Sequence, residues 1–187
     1  RFVWTDLETD ESGVAGYLQG WRMELVRNDE EKCCSRFDLF DAISGEISLY
    51  YGPLFDDEGE FRKDLGEDIL WVNLIRILPE HRGFGLGKAA LLRVLQLYGQ
   101  GCALAIGRPY PIQYGGGSCL EVEELEKMKL GLFDRNPFDA IIRLRNYWGE
   151  VGALPVPGFR EFVYVDLGRK LPQVSEHFED WSVRVRV

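Results

Sequence analysis

From Ile69 to Leu78 nearly every position is apolar or β-branched and the run stops at Pro79, a pattern that predicts a strand buried on both faces. Past Gly87 the rhythm changes. Ala90, Leu91, Val94, Leu95 and Tyr98 recur at helical spacing, and Gly99 and Gly101 end that helix. Cys102–Ile106 is a further apolar strand, and Arg108 to Gly117 is a loop rich in Pro and Gly. Amphipathic spacing predicts helices at about 119–130 and 139–148, and the alternation in 160–167 predicts a strand. Residues 182–187 fit one more strand, while 21–26 fit a strand or the end of a helix. Nearer the start, Phe37–Phe40 and Glu46–Tyr51 flank Ser44-Gly45 and predict a β-hairpin. No period of 20–50 residues repeats, so solenoids and propellers are excluded. The order of hairpin, strand, helix, strand, helix, strand predicts an α/β or α+β chain: one domain over residues 1–187, with a central mixed, mostly antiparallel sheet flanked by helices.

Composition narrows the function classes. Of 187 residues, 45% are hydrophobic, which is ordinary for a globular chain and excludes general disorder. With 31 Asp and Glu against 22 Lys and Arg the net charge is -9, so a sequence-independent grip on nucleic acid is not expected and a cationic or neutral partner is. Asp56, Asp57, Glu58, Glu60, Asp64, Glu67 and Asp68 fall in one stretch without apolar periodicity, which predicts a solvated loop or an acidic rim drawing a cation to a nearby pocket. The longest apolar runs fall far short of the ~20 residues that cross a membrane, so no membrane association is expected. Arg1 to Asp6 contains no basic stretch leading into an apolar core, and the cytoplasm is the expected compartment. Cys33, Cys34, Cys102 and Cys119 form no C-x-x-C pair, and no histidine cluster accompanies them, so no metal site is expected.

The chemistry concentrates in Arg82-Gly83-Phe84-Gly85-Leu86-Gly87-Lys88, between the strand and the helix. Three glycines in five residues let backbone N–H groups turn inward, and the first turn of the helix adds unpaired donors and a positive dipole end: together, a phosphate cradle. A Walker A loop is excluded because Arg82 stands where its first glycine belongs and Ala89 follows Lys88. A G-x-G-x-x-G dinucleotide loop is excluded because the third glycine comes one residue early. The spacing is R-x-x-G-x-G, preceded by Ile77-Leu78-Pro79-Glu80-His81-Arg82. In these residues the chain resembles the GCN5-related N-acetyltransferase (GNAT) family, whose signature Q/R-x-x-G-x-G/A follows a strand ending V-x-P-x-x-R. The resemblance extends over about residues 36–168.

That resemblance implies a single GNAT-like domain using acetyl-CoA as cosubstrate. It implies that Ile77 and Leu78 offer backbone hydrogen bonds to the pantetheine arm. The amides of Gly83, Phe84, Gly85, Leu86, Gly87 and Lys88 would hold the pyrophosphate, with charge added by Arg82 and Lys88. Family members often carry a tyrosine four residues before a glycine at a helix end, placed to protonate the departing thiolate. Here that register falls on Trp148, a cofactor-contact candidate, and Tyr147 stands one residue before it, as a catalytic acid or as half of an aromatic pair packing the helix onto the sheet. Where the family places a glutamate base on the strand this chain has Asn73, which can orient a water but not accept a proton, while Glu67 and Asp68 lie just upstream.

Acetyl transfer to an amine requires a deprotonated amine, a polarised thioester carbonyl and a protonated leaving thiolate. The reading is an acetyl-CoA-dependent N-acetyltransferase, monomer or homodimer, acting by direct attack of a primary amine. The acidic charge balance points to a cationic acceptor, either a small molecule or a peptide amine. Tyr110 and Tyr114, in the loop after the Cys102–Ile106 strand, are candidates to line its pocket. The competing reading is a catalytically inactive CoA-binding module serving regulation or protein interaction.

Overall fold

The computed structural model describes residues 2–5, 12–24, 36–59, 61, 68–114, 126–133, 136–172 and 184–185. Two strands open the chain, β1 (Phe2–Thr5) and β2 (Ser12–Met23), so the first alternative for 21–26 holds as far as Met23. Helices α1 (Arg36–Ile43), α2 (Gly45–Ser48) and α3 (Tyr51–Leu54) precede the central strand β3 (Asp68–Ile77). Helix α4 (Leu86–Tyr98), strand β4 (Cys102–Gly107) and helix α5 (Pro137–Gly149) follow. Strands β5 (Leu154–Val156), β6 (Phe159–Asp166) and β7 (Arg184–Val185) complete the chain. They form one sheet in the order β5-β6-β4-β3-β2-β1-β7. Among the described residues only the β3–β4 pair is parallel, as it must be when a helix carries the chain back across the sheet. The expected class, a mixed and mostly antiparallel sheet flanked by helices, is the class observed.

The expected hairpin over 37–51 is not formed; three short helices stand in its place. Ser44 is extended and its Oγ accepts from the Ile47 amide at 3.1 Å, so it caps a new helix rather than opening a turn. The misreading came from Phe37–Phe40, too short to separate a period of two from one of 3.6. The longer spacing of Phe40, Ile47, Tyr50 and Leu54 is helical, and all four are buried. Of the acidic stretch, 56–59 form an exposed turn, but Asp68 begins β3 and pairs with Arg22 at 2.6 Å. Glu60, Asp64 and Glu67 lie outside the described residues. So does most of the helix expected over 119–130, of which 126–127 are helical and 128–129 turn into the short 3-10 turn Leu130–Leu132.

Two cores sandwich the sheet. On one face α4 and the end of α5 pack on Leu70, Val72, Ala105, Val163 and Val165. On the other, α1–α3 pack on Ile69, Trp71, Leu104, Ile106 and Phe162. Tyr50, 2% exposed, joins the second layer to the sheet through ring contacts with Trp71 at 5.2 Å and Phe162 at 4.9 Å. Along β3 the α4-side residues are Leu70 and Val72, then Ile75 and Ile77. That change of parity marks a bulge: Gly20 pairs with Val72 and Gln19 with Leu74, leaving Asn73 as the extra residue.

β3 is fully buried only from Ile69 to Val72; Asn73 to Leu78 are half-buried, against the expectation of burial on both faces throughout. The parallel ladder with β4 ends at Val72 and Gly107, after which β3 continues beside β2 alone. No helix among the described residues is long and apolar enough to cross a membrane.

Candidate active site

The point where β3 and β4 part company positions everything else. Asn73 sits at that apex, in the bulge, where a strand re-aims its side chains. Gly107, the last paired residue of β4, is glycine for a spatial reason: a Cβ there would lie 2.7 Å from Cη2 of Trp148 and 3.1 Å from the Val72 carbonyl oxygen. The indole of Trp148, 6% exposed, thus lies against the last rung of the β3–β4 ladder as a packed member of the α4-side core. What is seen of Trp148, the cofactor-contact candidate, is a packing role: it wedges the end of α5 against the last rung of the ladder.

Beyond Ile77 the chain turns through Pro79–His81 into the glycine loop. Gly83 and Gly85 adopt φ of 84° and 75°, the left-handed region that side chains other than glycine rarely enter. Gly85 caps α4, accepting from the amides of Lys88 and Ala89 at 3.0 and 3.1 Å. The amides of Leu86 and Gly87 therefore stand ahead of the helical ladder, where the dipole is positive and donors have no partner within the helix. Leu86 and Gly87 are buried, and Phe84 projects, 61% exposed.

The side chains around this cradle are arranged differently from the simplest reading of the motif. Arg82 donates from Nε to the Ile77 carbonyl at 2.9 Å and from Nη2 to the Met128 carbonyl at 2.7 Å, and it lies over the Phe133 ring. Burial pulls its guanidinium below the usual arginine range, against the charge of Glu80. Lys88 pairs with Glu150, just past the end of α5. The positive field of the cradle therefore comes from the amides and the helix end as much as from these two cations. Of the backbone groups expected to meet a pantetheine arm, the Ile77 carbonyl accepts from Arg82, the Leu78 amide donates to Ala15 at 2.9 Å, and the Leu78 carbonyl accepts from His81 at 3.0 Å.

Tyr147 reaches the cradle directly. A Cβ on Gly87 would collide with its hydroxyl and would lie 3.3 Å from Cγ1 of Ile77, so that hydroxyl sits against the first turn of α4 beside the end of β3. Burial, and the nearby charge of Glu150, raise its pKa above that of an ordinary tyrosine, which keeps the hydroxyl protonated at neutral pH.

On the other arm, Arg108 follows β4 and pairs with Glu161 at 2.5 Å, and its guanidinium lies 5.5 Å from the ring centroid of Tyr110. The Tyr110 hydroxyl donates to the Tyr114 carbonyl at 3.2 Å, so both tyrosines belong to one folded loop beyond the carboxyl end of β4. Sequence reasoning did not find the partners Glu150, Met128 and Phe133. They stand 46 or more residues from the side chains they meet and carry no periodic signal. Gly107, ending an apolar strand, was the one readable trace of the seat of Trp148.

No family model matches the chain, and no curated protein matches it either. Among solved structures, the crystal structure of the loading GNATL domain of CurA from Lyngbya majuscula is similar over 86% of this chain and 73% of that one, at 17% identity and a TM-score of 0.36.

Proposed function

We propose that the chain is an acetyl-CoA-dependent N-acetyltransferase. The observation that carries this reading is the coincidence, along the second half of β3, of a left-handed glycine loop opening a helix and the point where the ladder with β4 stops while β3 runs on beside β2. The loop fits an anionic diphosphate. Space is open around the Cβ position of Gly83, and the amides of Leu86 and Gly87 head the helix. Acetyl-CoA would bring an activated thioester, and transfer would form a C–N bond to a primary amine as the C–S bond breaks. Within the chain, the Asn73 amide at the apex can orient a water or the amine but cannot take a proton, so a proton leaving the amine goes to solvent. The protonated Tyr147 hydroxyl can supply one to a leaving thiolate.

The test is thermal unfolding with and without acetyl-CoA. At one hundred times the dissociation constant a ligand adds about 2.7 kcal/mol, which for this size raises the midpoint by roughly 5–10 °C. Gly85→Glu, which places a bulky anion at the left-handed cap, should abolish that shift. An unshifted midpoint for the unaltered chain at millimolar acetyl-CoA removes the proposal.

A second reading, a CoA-binding module without transfer, is favoured by Asn73: past Asp68, which is tied to Arg22, β3 carries no carboxylate. A midpoint shift with no acetyl transfer to a broad amine panel selects it.

A further inference from the structure

Arg82 stands in the glycine motif, yet its guanidinium is turned toward the protein. It ties the Ile77 carbonyl, at the end of β3, to the Met128 carbonyl, and it covers the Phe133 ring at 4.7 Å. The segment it holds is compact. The Lys129 amide donates to Glu126, Lys129 itself has a φ of 46°, and the amides of Leu132 and Phe133 close on Lys129 and Leu130. Met128 is buried, and the turn Leu130–Leu132 packs against Ile112–Tyr114, the turn that follows β4. Residues 126–133 are thus fastened to the arm after β3 by Arg82 and to the arm after β4 by that turn. They form a crosspiece between the segments that follow two paired parallel strands, at the carboxyl ends where open α/β sheets hold ligands.

We infer that Arg82 is a positioning residue for the amine side of the site: it pins to the end of β3 this crosspiece, which packs on the Tyr110–Tyr114 loop, and it is not part of the grip on acetyl-CoA. The inference rests on the acetyltransferase reading above. Its physical basis is the shape of the guanidinium. A planar fork can serve two carbonyls while lying on a ring, whereas a lysine ammonium, a point charge on a flexible stem, cannot do all three. A residue whose role was to attract diphosphate would tolerate lysine and suffer from glutamine. A residue that pins the crosspiece suffers from both.

The test uses the whole chain with Arg82→Lys, Arg82→Gln and Phe133→Ala. The last removes a ring that is 43% exposed and leaves the core intact. Tryptic cleavage after Lys127 and Lys129, both exposed, reports the crosspiece without reference to activity. All three variants are expected to be cut there about tenfold faster, as loss of a charge-assisted hydrogen bond or of the ring beneath it implies. The acetyl-CoA dissociation constant should stay within about twofold, and the amine KM should rise about tenfold. The amine is the best acceptor among spermidine, a lysine-bearing peptide and an aminoglycoside. Unchanged cleavage in all three variants overturns the inference. So does a weakening of acetyl-CoA binding that is large for Arg82→Gln and absent for Arg82→Lys, or transfer to none of the three amines. An unaltered chain that does not bind acetyl-CoA at all sinks the enzyme reading, and the amine-side role with it, while the cleavage rates still decide whether Arg82 pins the crosspiece.

Discussion

Tyr147 and Trp148 divide two jobs that a helix end offers to adjacent residues. Successive side chains on a helix point about 100° apart, so one can fill the core while its neighbour packs at the core's edge. Trp148 takes the core, over Gly107, and the Tyr147 hydroxyl goes to the first turn of α4. Tyr147→Phe keeps the ring that packs against the core and deletes only that oxygen. If the hydroxyl is the acid, kcat should fall about a hundredfold with acetyl-CoA affinity unchanged. Burial raises its pKa above the ordinary value of about 10, so the acid form is fully present at lower pH and is lost only as pH climbs past that value. The ratio of the two kcat values should therefore stay flat from about pH 6 to about pH 9. Full activity in the phenylalanine variant removes Tyr147 from the mechanism, and a ratio that changes with pH in that window contradicts the raised pKa.

At the scale of elements, what could be read in the sequence was whatever one face of one element decides. β3, α4, β4, α5 and β6 are each long enough for their apolar spacing to fix a period, and their observed limits lie within two residues of those expected. The glycine loop was legible because left-handed backbone leaves a residue-type signature. The segment 37–51 was not, because its pieces are only a few residues long and Ser44-Gly45 serves a helix start as readily as a hairpin turn. The parting of β3 and β4 leaves no local trace either. Nor does the seat of Trp148, which arrives from α5 over the last rung of that ladder, and Gly107 is where that seat can be tested. In Gly107→Ala the new methyl meets the indole at 2.7 Å, and the buried ring has to shift. Overpacking of this kind costs about 1–3 kcal/mol, to be read from urea unfolding. Gly149→Ala, where nothing lies within 4 Å, should change stability by no more than about 0.5 kcal/mol. Equal stability of Gly107→Ala and the unaltered chain would mean that the ring does not seat there.

Across the whole molecule the charge runs against the cosubstrate proposed for it. A body of net charge -9 repels acetyl-CoA, an anion, at long range. Attraction begins only within the first turn of α4, where the helix end and the loop amides act over a few ångströms. A cationic amine meets the reverse situation, drawn in by the summed field before any contact is made. Salt acts on the long-range part: the Debye length shrinks from about 30 Å at 0.01 M to about 8 Å at 0.15 M, so it screens the body and leaves the cradle nearly untouched. The two substrates should therefore respond with opposite signs. Between those ionic strengths, stopped-flow association of acetyl-CoA should speed up by about two- to threefold, and kcat/KM for spermidine should fall by at least as much. A neutral primary amine, if it is accepted, should show little change. An association rate for acetyl-CoA that falls as salt rises would instead assign a net positive field to the approach to the glycine loop. Arg82 and Lys88 would then act on the cosubstrate from a distance, in spite of the carbonyls and the carboxylate they already hold.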